Sequence, residues 1–347
     1  MLRNIFWKSY SRLLIVGDNS GWSTDEDAKD LQNICRELEV PAHIVKKVYF
    51  NIAQAVHYTS QFSLTQETIY HPKNRISVDY YHGKPEQQES FKKCFEAMIK
   101  HKDQIIRVRV SNREMETLIK SSGIEPEKVM RIPLGVDFKN MRQATSEMRQ
   151  AARESLAIPA DALVIGSFQK DGVGWGDGLE PKLIKGPDTF LKVIAKLKND
   201  IPNLWVLLSG PARGFVKKGL EELGIPYRHE YFRNSKDVIK LYDALDLYLI
   251  TSREEGGPKA CLDSMAKGIP LVTTEVGQCK DLVTSGKNAM MAPIDDIEGI
   301  YRHSLHVLQD KELRKNITEA GIITARENSY ETQLPLWRKY FDKLIEK

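Results

Sequence analysis

The chain has 347 residues, 41% apolar and 28% charged, with a net charge of +4. That length exceeds one ordinary core and suits two domains of moderate size, and the composition is globular. No run of about 18 apolar residues exists, so no membrane-spanning helix is expected. The charge excess permits a phosphate-rich or anionic partner without requiring one, and no nucleic-acid partner is expected.

All of the excess lies in residues 1–150, which hold 23 basic and 19 acidic side chains. The opening segment RNIFWKSYSR interleaves Phe6, Trp7 and Tyr10 with Arg3, Lys8 and Arg12. It admits a peripheral contact with lipid headgroups through the N-terminal domain. A tail that packs its aromatics on that domain is the preferred reading. The segment lacks a long apolar core and a small-residue cleavage site, so no secretion signal is expected. Cys35, Cys94, Cys261 and Cys279 are scattered without a CxxC pair. They read as small buried apolar residues in a reduced, cytoplasmic protein.

Arg12–Asp18 (RLLIVGD) is a short apolar run that predicts a buried strand. Ser23 and Glu26 then form a capping box, and Ala28, Leu31, Ile34 and Leu38 recur at helical spacing. Gly21 therefore lies between the C-terminal end of a strand and a helix N-terminus, where open parallel sheets bind ligands. AQAVHYTSQF, RISVDYYHG and QIIRVRVS read as further strands, and ESFKKCFEAMIKH and NREMETLIKSSG as helices. VMRIPLGVD (Val129–Asp137) is a strand and a turn, and TSEMRQAARESLAIPADA a polar helix at which the domain boundary is expected.

A second alternation follows. LVIGSFQ, LWVLLSG, DLYLITS and PLVTTEVG predict strands; GPDTFLKVIAKLKND, FVKKGLEELG, SKDVIKLYDAL and CKDLVTSG predict helices. IEGIYRHSLHVLQD, KELRKNITEAGIITAREN and the aromatic SYETQLPLWRKYFDKLIEK complete the chain as helices. The expectation is an α/β protein of two Rossmann-like, doubly wound domains, residues 1–150 and 151–328, with 329–347 returning to the first.

The most informative stretch is Ser252–Val283, SREEGGPKACLDSMAKGIPLVTTEVGQCKDLV. Ser252–Gly257 should form the loop leaving a strand. Pro258 suits the first turn of a helix and Gly268 its end. Glu255 then hangs ahead of the helix and Asp263 falls in its second turn. The N–H groups of Lys259 and Ala260 sit at a helix N-terminus, which favours phosphate. Gly256 and Gly257 leave room for a ligand near the backbone. A phosphate with hydroxyl-rich groups on both sides fits such a site, and a nucleotide-sugar has that make-up.

EGGPKACLDSMAKGIPLVTTEVG resembles the E-G-x-P-x(4)-E-A-M-A-x-G-x-P-V-V signature of family 4 of the retaining glycosyltransferases, which have the GT-B fold with two domains facing a central cleft. VMRIPLGVDF, IKGPDTFLKVIAKL, LYDALDLYLITSREEG and VGQCKDLV match further motifs of that family in the same order. The resemblance implies Glu255 near the donor sugar, Asp263 on the ribose diol and Lys185 neutralising the diphosphate. It also implies that the loop around Gly21 closes on the phosphates and that His82, in VDYYHG, lies beside the reacting sugar. The implied activity is retaining transfer of a sugar from a nucleotide-diphosphate donor to a glycan, lipid-linked or small-molecule acceptor, in surface polysaccharide or glycoconjugate biosynthesis. No cofactor and no metal are expected. Rival readings are a nucleotide-sugar epimerase on the same fold and a non-catalytic, glycosyltransferase-like binding subunit.

Three departures stand out. Asp263 replaces the usual glutamate. Ser167 in GSFQKD stands where the family often has arginine, which leaves Lys170 as the nearest cation to fill that role. Gly172–Gly178 (GVGWGDG) is longer and richer in glycine than the usual link, either a flap over the donor or an irregular turn. A nicotinamide-binding site is disfavoured, because no full GxGxxG pattern with a following acid is present.

Overall fold

The computed structural model describes residues 10–17, 23–46, 48, 52–66, 71–232 and 235–346. Two parallel sheets of six strands each carry the fold. In the first sheet β1 is Leu13–Val16, β2 Ala42–Val45, β3 Ala55–Tyr58, β4 Arg75–Tyr80, β5 Ile105–Val110 and β6 Val129–Arg131, in the order β2-β1-β3-β4-β5-β6. In the second β7 is Leu163–Phe168, β8 Leu204–Ser209, β9 Tyr227–Glu230, β10 Leu247–Ile250, β11 Leu271–Thr274 and β12 Met290–Ala292, in the order β12-β11-β10-β7-β8-β9. Each order reverses direction beside the first strand of its half, the doubly wound arrangement that places ligand sites at the carboxyl ends of the strands.

Inner strands such as β1 and β10 are continuous apolar runs because helices cover both faces, while β4 and β5 carry buried charges. β1 (LLIV) and β10 (LYLI) are buried along their whole length. In the second sheet one face packs Leu207, Tyr248, Leu262 and Met265 together, and the other packs Phe190, Val193, Val206 and Leu249. Gly166 of β7 makes room for the first of these. A Cβ there would lie 2.4 Å from the Leu245 side chain.

The chain divides into two compact units. One comprises Met1–Pro133 and Tyr330–Lys347, the other Leu134–Ser329. Residues 134–150, counted with the first half from sequence, belong to the second unit. The polar helix Ser146–Ser155 is bound there through Arg149 and Arg153, which pair with Asp246 at 2.5 and 2.7 Å. The helix Tyr330–Phe341 belongs to the first unit. Its Trp337, Tyr340 and Phe341 are buried against Leu13, Ile15 and Ile132.

Beneath that helix lies a buried charge network. Arg109 Nη1 donates to Asp79 Oδ2 at 3.1 Å, Tyr81 Oη donates to the same oxygen at 2.7 Å, and the guanidinium lies over the Trp337 ring. Burial alone would push the Asp79 carboxyl up, but Arg109, His57 and Tyr81 together hold it below its usual range. Arg109 also donates to the carbonyls of Ile132 and Pro133, where the first unit's chain ends. All four cysteines are free thiols and buried. Among the described residues, no helix is long and apolar enough to cross a membrane.

Candidate functional site

Two loops at the carboxyl end of the second sheet are joined backbone to backbone. Gly186 makes this possible. It adopts φ +61°, and a Cβ at that position would lie 1.9 Å from the Thr251 carbonyl oxygen. Only glycine admits that approach without strain. Thr251 Oγ1 donates to Gly186 O at 2.9 Å, and the N–H groups of Arg253 and Glu254 donate to Ile184 O at 2.8 and 3.1 Å. The segment before the helix Pro187–Asp200 is thereby laid along the loop that leaves β10.

The consequence is a pair that the sequence treated as separate groups. Lys185 Nζ lies 2.5 Å from Glu255 Oε1, with side chains 22% and 14% exposed. Ser252 Oγ donates to the same carboxylate oxygen at 3.0 Å.

Arg253 holds both loops. Its guanidinium donates to both carboxylate oxygens of Asp188 at 2.8 Å, to Asp295 at 2.8 Å, to Leu183 O at 2.6 Å and to Thr189 Oγ1 at 3.0 Å. These hydrogen bonds lower the carboxyls of Asp188 and Asp295 and raise the Arg253 guanidinium. Sequence reasoning missed this clamp. Its acids lie far from Arg253 along the chain, so no local spacing announces them.

The loop after β7 supplies further cations. Ser167, where family members often carry arginine, is buried, and its Oγ accepts from Arg213 at 3.2 Å. Arg213 Nη1 donates to the carbonyls of Ser167, Gln169 and Ser209, and Nε faces Asp171 Oδ1 at 3.0 Å. Arg213 thus lies beside Ser167, with its guanidinium buried and committed to these carbonyls, Ser167 Oγ and Asp171. Burial pushes the Asp171 carboxyl up against the opposing pull of Arg213. Lys170 is partly buried, and its ammonium is lowered by desolvation. Lys182 is lowered by burial and then by the repulsion of Lys185 and Lys170, while Glu255 works against that shift. Three ammonium groups therefore share one neighbourhood with the Glu255 carboxylate. Lys182 was not singled out from sequence, although its three-residue spacing from Lys185 in a tight turn was available.

The glycine-rich turn leads into the helix Lys259–Ala266, capped by Pro258 without a side-chain hydrogen bond. Gly257 is required by close packing, since a Cβ there would lie 2.6 Å from Gln278 Oε1. Gln278 is fully buried; its N–H donates to Gly256 O at 3.0 Å and its Oε1 accepts from Leu134 N–H at 2.8 Å. The VGQCKDLV segment thus holds the turn from beneath. Lys259 and Ala260 open the helix, and Asp263 lies in its second turn, partly buried. Its charge bears on the buried hydroxyls of Tyr242 and Tyr248, which are raised chiefly by burial.

Lys170, Lys185, Glu255, Gly256, Gly257, Lys259, Ala260 and Asp263 all lie in the second unit, on loops or a helix start following β7 and β10. His82 belongs to the first unit, two residues beyond β4. Its ring sits edge-on to Phe91 at 5.2 Å between centroids, with Phe62 at 6.4 Å. Gly21 lies outside the described residues, as do Arg3, Phe6, Trp7 and Lys8. Chemically, the second unit's arrangement concentrates positive charge and directed hydrogen bonds at the carboxyl end of a parallel sheet, which suits an anionic ligand that also carries hydroxyls.

Residues 179–323 match the family model described as glycosyl transferases group 1. D-inositol 3-phosphate glycosyltransferase of Saccharomonospora viridis is 26% identical over 249 residues, covering 67% of this chain and 52% of that protein. Lipopolysaccharide core biosynthesis glycosyltransferase LpsE of Rhizobium meliloti is 29% identical over 169 residues, covering 49% of this chain and 46% of that protein. The chain spans about half the length of these two curated relatives. Among solved structures, Anabaena Alr3699/HepE in complex with UDP and glucose superposes with a TM-score of 0.77 at 15% identity, covering 96% of this chain and 99% of that one. Sucrose-phosphate synthase of Thermosynechococcus elongatus gives 0.65 at 16% identity, covering 83% and 73%. By these matches and its two six-stranded sheets, the chain has a GT-B fold of two Rossmann-like domains, and its residues 179–323 are similar to the glycosyl transferases group 1 family.

Proposed function

We propose that the protein is a retaining glycosyltransferase that moves a sugar from a nucleotide-diphosphate donor to an acceptor hydroxyl. The observation that carries this reading is the Lys185–Glu255 pair at 2.5 Å, within the segment that matches the family and set beside Lys182 and, just ahead of that segment, Lys170. Lys170, Lys182, Lys185 and the helix start at Lys259–Ala260 would hold the diphosphate. Glu255 would face the sugar hydroxyls from Gly256–Gly257, and Asp263 the ribose. The binding of UDP and UDP-glucose by HepE supports a nucleotide-sugar donor. For His82 beside the reacting sugar and Gly21 at the phosphates, the proposal stands on the motif resemblance alone.

In the proposed reaction the bond from the sugar's anomeric carbon to the phosphate oxygen breaks, and the acceptor oxygen bonds to that carbon on the same face. The acceptor's proton passes to the leaving phosphate oxygen. Negative charge grows on the diphosphate, which the lysines would already surround, and such preorganised stabilisation would contribute most of the rate enhancement. With lysines and a helix start in that role, no metal is required, and a glycan, lipid-linked or small-molecule acceptor is equally served.

The test is a screen of UDP-, GDP- and ADP-sugars for thermal stabilisation, followed by turnover of the best donor with candidate acceptors, with and without EDTA. Transfer that depends on acceptor, survives EDTA and preserves the anomeric configuration by NMR is the expected result. Isomerisation of the donor without acceptor, or no binding of any donor, would overturn the proposal.

A further inference from the structure

The glycine-rich insertion is an anchored hairpin. Gly172 and Pro181 form an antiparallel bridge, Val173 N–H donates to Glu180 O at 2.9 Å, and Lys182 N–H donates to Asp171 O at 2.7 Å. The returning arm is tied to the helix Gly214–Glu222, because Asp177 O and Gly178 O accept from Gly214 N–H and Phe215 N–H at 2.7 and 2.8 Å. These bonds occupy amides of the helix's first turn that have no partner within the helix. The base is therefore fixed, and what it carries is one aromatic ring. Trp175 stands between Gly174 and Gly176, around which there is open space, and is 57% exposed. Lys170 Nζ rests over this ring, 4.6 Å from its centroid.

Lys170 has reason to need such a rest. It shares its neighbourhood with Lys182 and Lys185, and the nearby Glu255 is already paired with Lys185. Among the described residues, the Lys170 ammonium has no carboxylate or hydrogen-bond partner. Like charges would drive a flexible lysine away from the other two, and the negative face of an indole is a partner that opposes this without neutralising the charge.

We propose that Trp175 is a positioning residue for Lys170, its ring holding the ammonium at the anion site so that a diphosphate meets a cation already in place. This rests on the glycosyltransferase reading of the site. An aromatic ring in place of a carboxylate suits this task because it leaves the ammonium's full charge available to the phosphate, whereas an acid would compete with the ligand. A cation–π contact at an exposed site sets the expected scale at about two- to fivefold in affinity.

The test is calorimetric binding of inorganic pyrophosphate and of a nucleoside diphosphate to the full chain and to Trp175→Ala, Trp175→Phe, Lys170→Met, the double variant Trp175→Ala/Lys170→Met, and Lys185→Ala. Trp175→Ala is expected to weaken binding about two- to fivefold and Trp175→Phe to restore most of the loss. The double variant should bind no more weakly than Lys170→Met alone, a coupling that a merely structural role for Trp175 would not produce. Multiplying losses in the double variant, or unaltered binding in Trp175→Ala, would overturn the inference while a large loss in Lys185→Ala leaves the anion site standing. Unaltered binding in Lys185→Ala as well would overturn both.

Discussion

Glu255→Gln separates the two roles of this carboxylate by sign. In the ligand-free protein Glu255 is the partner of Lys185, at 2.5 Å with both side chains mostly buried. On the proposed function, a diphosphate would compete with it for that ammonium. Surface pairs contribute at most about 1 kcal/mol, and breaking buried ones costs about 3–5 kcal/mol, so an intermediate value near 2 kcal/mol is reasonable here. Glutamine keeps an oxygen in place for Lys185 and Ser252. A charge-assisted bond is about twice as strong as a neutral one, so roughly half the competition, about 1 kcal/mol, disappears. Removing an anion beside a charged ligand acts in the same direction. Free nucleoside diphosphate should therefore bind Glu255→Gln about fivefold more tightly than the parent. If Glu255 faces the reacting sugar as proposed, sugar transfer should nevertheless fall by about 10² or more, the cost of one preorganised polar contact. Calorimetry and steady-state turnover on the same preparations measure both. Weaker or unaltered diphosphate binding would refute the competition, and turnover within a few fold of the parent would refute the catalytic role.

Gly186→Ala forces a side chain into φ +61° against Thr251 O and should destabilise the second unit by about 2–4 kcal/mol, read as a lowered midpoint in urea. Arg253→Met should alter the acid limb of stability. Asp188 and Asp295 are lowered in the folded state by their hydrogen bonds to Arg253, so the folded protein binds fewer protons than the unfolded chain there. Their contribution is complete above the ordinary carboxylate value near 4 and is lost as pH falls through the lowered values. Thermal melts from pH 6 to 2.5 should show the gap between parent and variant closing at the acid end; a constant gap would refute the clamp. Asp79→Asn leaves Arg109 buried without its counter-ion and should cost about 3–5 kcal/mol, seen in chemical denaturation of the full chain.

The inner strands were legible from sequence because burial on both faces demands continuous apolar runs, as in LLIV, LWVLLS and LYLI. The three strands not foreseen, β2, β9 and β12, all lie at sheet edges. β9 is Tyr-Arg-His-Glu and β12 only three residues long, so neither shows an apolar run or a clear alternation. SKDVIKLYDAL was expected as one helix but is a short helix, Ser235–Val238, followed by a 3-10 segment, Ile239–Ala244. The site shows the same division. Glu255 with its glycines and Lys185 with Gly186 each stand in a short local motif that sequence can display. The Arg253 clamp, the burial of Arg213 and the Lys185–Glu255 contact depend on residues far apart in the chain, which only the folded sheet brings together.

The helix Tyr330–Phe341 closes the first unit, yet the ribosome makes it only after the whole of Leu134–Ser329. At ordinary translation speeds the Asp79–Arg109 pair waits about 11–46 s for Trp337 to cover it. The intervening unit, continuous in sequence, is complete before the first unit is. For that interval the apolar seat around Leu13, Ile15 and Ile132 lacks the aromatic helix that covers it in the finished fold.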